Sequence, residues 1–177
     1  QMDARLPGKL QVLVNNAGIL KKQSRVVDMS ANRIQEVLTA NVLSAFLCSQ
    51  QAILRMSAER GGKGGTIVNV SSAASRLGSA NEYVDYAASK GAIDSLTIGL
   101  SKEVAAEGIR VNGVRPGFIY TEMHASGGEA NRIDRVKPTI PLQRGGQPEE
   151  VADAIFWLAS EESAFVTGAL LDIAGGV

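Results

Sequence analysis

Four short apolar runs alternate along the chain with longer stretches in which apolar residues recur at helical spacing. Each run is rich in Val, Ile or Leu and stops at a turn-forming residue, which is typical of a buried strand; the runs are residues 9–14, 66–70, 109–114 and 168–173. Helical spacing covers residues 30–60 and about 83–106, and Pro148 begins a third helix. Because strands separated by long helices pair in parallel, the pattern predicts an open α/β sheet in one domain, residues 1–177.

Two of the connections have recognisable features. Ser30 stands where the first long helix is expected to begin, and serine at that position caps a helix by accepting a hydrogen bond from a first-turn amide. Residues 118–146 show no strand pattern and contain scattered glycines and prolines. A loop of this length in a compact domain is usually a binding element, so we predict a substrate-binding lid at about residues 121–146, with short helical pieces.

The composition excludes several kinds of function. The 177 residues carry 18 basic and 18 acidic side chains, so we expect no binding to nucleic acid or to an anionic membrane. Residues 1–10 lack the pattern of a signal peptide, and no run of eighteen apolar residues occurs, which favours a cytoplasmic protein. One cysteine, Cys48, and one histidine, His124, allow neither an internal disulfide nor a Cys/His metal cluster. A small-molecule substrate and no metal are expected.

Small and polar residues follow every predicted strand. These turns are Asn15-Asn16-Ala17-Gly18, Ser71-Ser72, Arg115-Pro116-Gly117 and Ala174-Gly175-Gly176. In open parallel sheets a ligand binds beyond the carboxyl ends of the strands, so the four turns are expected to share one rim. Each alone is more often an ordinary turn than a site, but their coincidence on one rim favours a binding cleft.

Tyr86 and Lys90 lie four residues apart near the start of the second long helix. This spacing puts both side chains on one helical face, so the ammonium group can sit near the phenol oxygen. A free phenol has a pKa of about 10, and acid/base work near neutral pH needs it lowered by about 3 units, which Lys90 and a cationic ring in the same pocket could supply. The alternative is an amphipathic tyrosine beside a solvated lysine, which is favoured for an isolated Y-x-x-x-K pattern.

Together these features resemble the short-chain dehydrogenase/reductase family over essentially the whole chain. The motifs that carry the resemblance are, in chain order, Asn15-Asn16-Ala17-Gly18 after a strand, Asn41 within Thr39-Ala40-Asn41-Val42, Ser71-Ser72, Tyr86 with Lys90, Arg110-Val111-Asn112 ahead of Pro116-Gly117, and Val166-Thr167-Gly168. The resemblance implies a Rossmann-type, doubly wound parallel sheet in three α/β/α layers. It also implies an oxidoreductase that uses NAD or NADP.

The resemblance further implies a role for each matched residue. Tyr86 would be the general acid/base for the substrate oxygen, and Ser72 would hydrogen-bond the same oxygen. Lys90 would hold the nicotinamide ribose and lower the pKa of Tyr86, whereas Asn41 would bind a water that connects Lys90 to solvent. The other matched positions would contact the cofactor: Asn16, Ala17 and Gly18 on the adenosine side, and Pro116, Gly117, Ile119 and Thr121 around the nicotinamide.

Some further residues could be mistaken for functional ones, and we interpret them differently. The family's usual serine-to-tyrosine spacing falls on Ala73, which has no hydroxyl, and we prefer Ser72 over Ser71 as the functional serine. Tyr83 is interpreted as non-catalytic, because no lysine follows it four residues later. We expect His124 to lie at the surface, where a contact with the substrate stays open. Cys48 is expected to take part in helix packing, and Trp157 to lie in the core.

The sequence departs from the family pattern at its N-terminus. Family members have a glycine-rich phosphate loop of the T-G-x-x-x-G-x-G type before the strand that ends in Asn-Asn-Ala-Gly, and this chain contains none. The residues ahead of position 9 look like the end of a helix. We expect the sequence to be a partial record of a longer enzyme that lacks the first strands and this loop. The choice between NAD and NADP stays open.

The expected function is hydride transfer between a nicotinamide cofactor and a secondary alcohol or carbonyl of a small sugar, polyol or ketone. The family often forms dimers or tetramers through its two long helices, so a homo-oligomer is expected. The alternative is a catalytically silent α/β module that binds or assembles without turnover. A related isomerase or dehydratase on the same scaffold is a further alternative.

Overall fold

The structure, a computed structural model, describes residues 9–177 and contains a four-stranded parallel sheet. The strands are β1 (Val12–Asn15), β2 (Gly65–Val70), β3 (Ile109–Pro116) and β4 (Leu170–Ile173), and their order in the sheet is their order in the chain. Leu13 lies opposite Ile67, and Ile67 lies opposite Val111. The predicted parallel α/β sheet is confirmed.

Helices occupy the connections between these strands. They are α1 (Ala31–Leu38), α2 (Ser44–Met56), α3 (Ala74–Leu77), α4 (Val84–Glu103), α5 (Met123–Ser126), α6 (Arg132–Val136) and α7 (Pro148–Ala159), with short 3₁₀ turns at Val26–Asp28, Ala58–Arg60, Ala105–Glu107, Lys137–Thr139 and Glu161–Ser163. Ser30 caps α1 as predicted, because its hydroxyl accepts a hydrogen bond of 3.2 Å from the Arg33 amide. The helix end expected ahead of position 9 lies outside the described residues.

A π-helical turn, Thr39–Leu43, joins α1 to α2. Such turns add one residue to a helix and are frequent at functional sites. Over Ala31–Met56 the combined helix has 26 residues and a mean hydropathy of 1.4 in its most apolar window, so by length and composition alone it is long and apolar enough to cross a membrane. Core helices of α/β proteins meet the same criterion, and α2 packs on β1 and β2.

Apolar side chains of the sheet form one core on each of its faces. Ile67 and Val111 point to one face, where Met56 of α2 packs with them in a cluster that also includes residues of α4. Val68 and Val114 point to the other face and pack against Leu158 of α7. Successive residues of a strand face opposite sides, so β2 and β3 each contribute to both cores. The result is the predicted arrangement of three layers.

A partly buried and a buried amide side chain, Asn15 and Asn69, join the carboxyl ends of β1 and β2 to α4. Asn15 Nδ2 donates to Asn69 Oδ1 at 2.8 Å, and Asn69 Nδ2 donates to Thr97 Oγ1 at 2.9 Å. Asn15 Nδ2 also lies 3.0 Å from Ser49 Oγ on α2. Asn69 is completely buried, so its hydrogen-bonding groups have no access to water. This chain of hydrogen bonds holds two strands and two helices together next to the rim of the sheet.

Replacing Asn69, the middle residue of this hydrogen-bond network, is expected to destabilise the protein. In Asn69→Ala the Asn15 amide and the Thr97 hydroxyl each lose a buried partner, and we expect the free energy of unfolding to fall by about 2–4 kcal/mol. Urea denaturation measures the change. Asn32→Ala, at an exposed position of α1, is the matched control, with an expected change within about 0.5 kcal/mol. Equal losses in the two variants would contradict a structural role for the buried network.

Candidate active site

A cavity of about 690 Å³ lies at the carboxyl ends of β1, β2 and β3. Its volume is in the range of about 300–1,000 Å³ that is usual for small-molecule sites. The predicted site residues on its wall are Asn16, Ala17, Gly18, Ser72, Tyr86, Lys90, Pro116, Gly117, Ile119 and Thr121. Residues of the predicted lid and of α7 complete the wall. The turns after β1, β2 and β3 therefore meet at one cleft, and Asn41 is the predicted site residue that lies behind its wall.

Tyr86 meets Ser72 on this wall. A hydrogen bond from the Ser72 side chain lowers the pKa of Tyr86, but burial has the larger effect, and the pKa of the phenol is raised above its ordinary value. Ser71 points away, because its hydroxyl donates to the backbone carbonyl of Lys90 at 3.1 Å and is buried. Of the two adjacent serines, Ser72 is the one that contacts the tyrosine.

Lys90 lies one helical turn beyond Tyr86 on α4. Its Nζ donates to the backbone carbonyl of Val70, the last residue of β2, at 2.8 Å and is 5.6 Å from the centre of the Tyr86 ring. Burial lowers the pKa of Lys90 to about 8, and the negative charge of Asp94 opposes this shift. The ammonium group is thus held beside the phenol, but burial favours its neutral form.

Asn41, in the π-helical turn, holds the loop after β1 against α4. Its Nδ2 donates to the Ile19 carbonyl at 3.1 Å and to Ser89 Oγ at 3.0 Å, and its Oδ1 accepts from the Ile19 amide at 2.7 Å. A Cβ placed on Gly18 would lie 3.4 Å from Asn41 Oδ1 and 3.5 Å from Lys90 Nζ. A side chain at this position would thus come into van der Waals contact with both residues, and Gly18 leaves that space open. One lone pair of Asn41 Oδ1 remains for a further donor.

An ion pair positions the first turn of α4, which carries Tyr86. The Asp85 carboxylate, with a nearly buried side chain, accepts from Arg33 Nε at 2.8 Å and from Arg33 Nη2 at 3.3 Å. Asp85 Oδ1 also accepts from the Tyr86 amide at 2.9 Å. This bidentate pair ties α1 to the beginning of α4 and restrains the backbone at the tyrosine.

Several wall residues have no counterpart in the sequence prediction. They are mostly apolar and include Leu20, Leu77, Phe118, Met123, Val151 and Ile155. Tyr83 also lies on the wall, buried, and its hydroxyl donates to the Gly127 carbonyl at 3.2 Å. These residues come from several segments that are far apart in the chain, and only their packing in the fold brings them to one cavity.

Three placements predicted for single side chains were wrong. His124 lies on the cavity wall rather than at the outer surface. Its Nε2 is 2.9 Å from the Ile119 carbonyl, which holds the ring there. Cys48 is exposed on α2. Trp157 is 39% exposed on α7 rather than in the core. Residue type gave the wrong answer because amphipathic helices such as α7 also present large side chains outward.

The wall residues suit the nicotinamide end of a dinucleotide. Gly18 leaves room for close approach to the backbone, Lys90 offers ammonium hydrogens, and Pro116 and Ile119 offer apolar surface. Within residues 9–177 there is no group of three or more His, Cys, Asp or Glu side chains that could hold a metal ion.

The charge of Asp94 is expected to keep Lys90 protonated. Asp94 lies one turn beyond Lys90, is nearly buried, and accepts from Arg115 Nε at 3.0 Å and Nη2 at 2.9 Å. Asp94→Asn removes a negative charge and leaves Arg115 uncompensated, so both effects lower the pKa of Lys90 below its value of about 8. NMR titration of isotope-labelled lysine side chains measures this. Asp134→Asn, at an exposed site, is the control; an unchanged Lys90 pKa in Asp94→Asn would contradict the assignment.

Comparisons with known proteins agree with this architecture. A family model described as "Enoyl-(Acyl carrier protein) reductase" matches residues 1–177. The oxidoreductase YgfF of Escherichia coli (strain K12), described as uncharacterized, is 66% identical over 167 residues, which cover 94% of this chain and 68% of that protein. A glucose and ribitol dehydrogenase homolog of Oryza sativa subsp. japonica is 36% identical over 173 residues, covering 96% of this chain and 57% of the relative.

A solved structure shows the same fold. The crystal structure of a candidate 2-deoxy-d-gluconate 3-dehydrogenase from Agrobacterium tumefaciens, with bound NADP, matches with a TM-score of 0.85 and 33% identity. The match covers 94% of this chain and 67% of that chain. The chain thus spans between just over half and about two thirds of the length of these proteins.

Proposed function

The chain belongs to the short-chain dehydrogenase/reductase family of NAD(P)-dependent oxidoreductases, and from this premise we propose that it transfers a hydride between a nicotinamide cofactor and a secondary alcohol or carbonyl of a small substrate. The observation that carries the proposal is the meeting of Ser72, Tyr86 and Lys90 on one cavity wall. A silent binding module has no need of a phenol, a hydroxyl and an ammonium group at one point of its cleft.

In this proposal the polar groups of the cleft bind the cofactor, orient the substrate oxygen and move its proton. The cofactor, when bound, supplies or accepts the hydride, and Gly18, Lys90 and Gly117 would hold it. Tyr86 Oη donates a proton to the carbonyl oxygen in reduction and accepts one from the alcohol in oxidation. Ser72 Oγ donates a hydrogen bond to the same oxygen, which orients it and stabilises negative charge that develops there.

Because the pKa of Tyr86 is raised, its phenolate needs a nearby positive charge, which Lys90 can supply. Burial disfavours the phenolate, and the hydrogen bond from Ser72 compensates only in part. The Lys90 ammonium group lies 5.6 Å from the ring centre and is the positive charge that we expect to stabilise the phenolate. Asn41 supports this function by holding the loop that carries Gly18 next to Lys90, and a water on its remaining lone pair would link Lys90 to solvent.

The proposed substrate is a small sugar, polyol or ketone. Two similar proteins are described as a glucose and ribitol dehydrogenase homolog and as a candidate 2-deoxy-d-gluconate 3-dehydrogenase, and the compounds in these names belong to this class. The cavity is large enough for such a substrate beside a nicotinamide ring, and its lining combines apolar side chains with a few polar ones. The cofactor is NAD or NADP.

Replacing the phenol is expected to abolish most turnover. In Tyr86→Phe the proton donor is lost while the ring remains, and we expect kcat to fall by a factor of about 10²–10⁴. Nicotinamide absorbance, followed with NAD and NADP on glucose, ribitol and a set of small ketones, measures it. Tyr120→Phe, which removes a phenol hydroxyl outside the cavity, is the matched control. Unchanged turnover in Tyr86→Phe would overturn the mechanism, and absent turnover with every pair would favour the silent module.

We also propose that the chain forms a homo-oligomer through α2 and α4. Their outer faces line a groove and expose apolar side chains that a monomer would leave in water; Phe46 and Leu47 are about half exposed, and Leu54 and Ile98 only slightly less. Gly99 has open space above it, so a second helix can approach the backbone of α4 closely. Phe156 and Phe165 are exposed as well, and a second contact that covers them would permit a tetramer.

The mass of the particle in solution tests this assembly. We expect light scattering to give a multiple of the 18.6 kDa chain mass. Phe46→Glu places a charge in the proposed contact and is expected to reduce the mass. Val27→Glu, at a residue that is 77% exposed and lies outside both helices, is expected to leave it unchanged. A monomeric wild-type protein, or an unaffected Phe46→Glu variant, would contradict the proposed interface.

A further inference from the structure

Besides Thr121, the lid contributes two polar side chains to the cavity wall, His124 on α5 and Arg132 at the start of α6. Neither is among the residues assigned to proton transfer or to the cofactor. The wall around them is largely formed by apolar and aromatic residues, among them Leu20, Tyr83 and Phe118. Each of the two side chains has one buried nitrogen atom without a hydrogen-bond partner among the described residues.

The unpartnered atom of His124 is a hydrogen-bond acceptor. His124 Nε2 lies 2.9 Å from the Ile119 carbonyl, and because a carbonyl only accepts, Nε2 carries the hydrogen. Burial lowers the pKa of His124, and the positive charge of Arg132 lowers it further, although the Ile119 hydrogen bond opposes both effects. The ring is then neutral near pH 7, and Nδ1 has a free lone pair.

The unpartnered atom of Arg132 is a donor. Arg132 is more than nine-tenths buried, and its guanidinium group lies over the rings of Tyr83 and Phe118, with its carbon at 5.0 and 5.7 Å from the ring centres. Nη2 donates to Glu82. Nη1 is 3.8 Å from the nearer Glu129 oxygen, beyond hydrogen-bonding distance, and has no other partner within residues 9–177.

The surrounding charges disfavour an anion as the missing partner. Arg132 and Arg135 face Glu82 and Glu129, so the formal charges of the four side chains cancel. A carboxylate or phosphate at this position would approach two glutamates, and it has no hydrogen to donate to His124 Nδ1. A carbonyl or ether oxygen could satisfy Arg132 only. A hydroxyl group both donates and accepts, so it offers the kind of partner that each of the two atoms lacks.

We propose that His124 and Arg132 bind a second hydroxyl group of the substrate, which makes the substrate a diol, polyol or sugar. The proposal rests on the hydride transfer proposed above and narrows its substrate class. Tyr83, against which Arg132 packs, precedes Tyr86 by one turn of backbone, so the second hydroxyl binds close to the reacting carbon. Both nitrogen atoms are buried in this structure, so the proposal requires that α5 and α6 move to let the hydroxyl reach them.

The ring nitrogens of His124 report binding without any turnover, since the chain has one histidine. In a ¹⁵N spectrum we expect ribitol to shift the Nδ1 signal toward the position of a hydrogen-bonded acceptor, and acetate to leave it unchanged. Arg132→Leu is expected to abolish the ribitol shift. Arg135→Leu, which removes the same charge from the exposed side of the cluster, is expected to retain it. A shift with acetate instead of ribitol, or no shift with either, would overturn the proposal.

Kinetics separates this proposal from the one on which it rests. We expect kcat/KM for butane-2,3-diol to exceed that for 2-butanol by about tenfold, a difference that Arg132→Leu removes and Arg135→Leu preserves. A ribitol shift without turnover of any alcohol would disprove the hydride transfer and leave the hydroxyl site standing. Turnover that depends on Tyr86 without a ribitol shift or a preference for the diol would disprove the hydroxyl site alone.

Discussion

The hydrogen bonds of Asn41 to both backbone groups of Ile19 and to Ser89 fix the distance between the loop after β1 and helix α4. Gly18 fits between Asn41 and Lys90, so the width of the cleft at this point depends on that spacing. The π-helical turn brings the amide of Asn41 to this buried position from a helix whose outer face is exposed. A buried side chain with three hydrogen bonds to two separate segments leaves those segments little freedom to move apart.

Charge in the cleft is controlled by burial and by ion pairs set around it. Burial raises the pKa of Tyr86 and lowers that of Lys90, so the surroundings disfavour the charged form of each group. Asp94, held by Arg115, acts against this on Lys90, and Asp85, held by Arg33, restrains the backbone at Tyr86. Both acids lie on α4 with the residues they influence. The reactive pair is therefore positioned and tuned from one helix, whose contacts with α1 and β3 anchor it.

Much of the fold followed from local pattern. The four strands, the two long helices, the Ser30 cap and the helix at Pro148 were all marked by periodicity or by residues with specific backbone preferences. The rim residues followed from one topological rule, that parallel strands end on the same side. His124, Arg132 and Tyr83 could not be assigned in the same way, because the lid backbone is irregular and its side chains reach the cavity through contacts between distant segments, such as Tyr83 with Gly127. Cys48 and Trp157 are exposed although their residue types favour burial, so residue type alone did not predict where these side chains lie.

The sequence by itself determined the α/β class, the parallel pairing of the strands and the set of side chains available for chemistry, since these depend on residue identity and on spacing along the chain. The tertiary structure decided which of two adjacent serines meets Tyr86, that Asn41 acts from behind the wall, and that two lid nitrogens are buried without partners. It also decided the protonation preferences of Tyr86 and Lys90. Orientation, burial and electrostatic environment arise only when segments far apart in the chain pack together, and no local pattern encodes them.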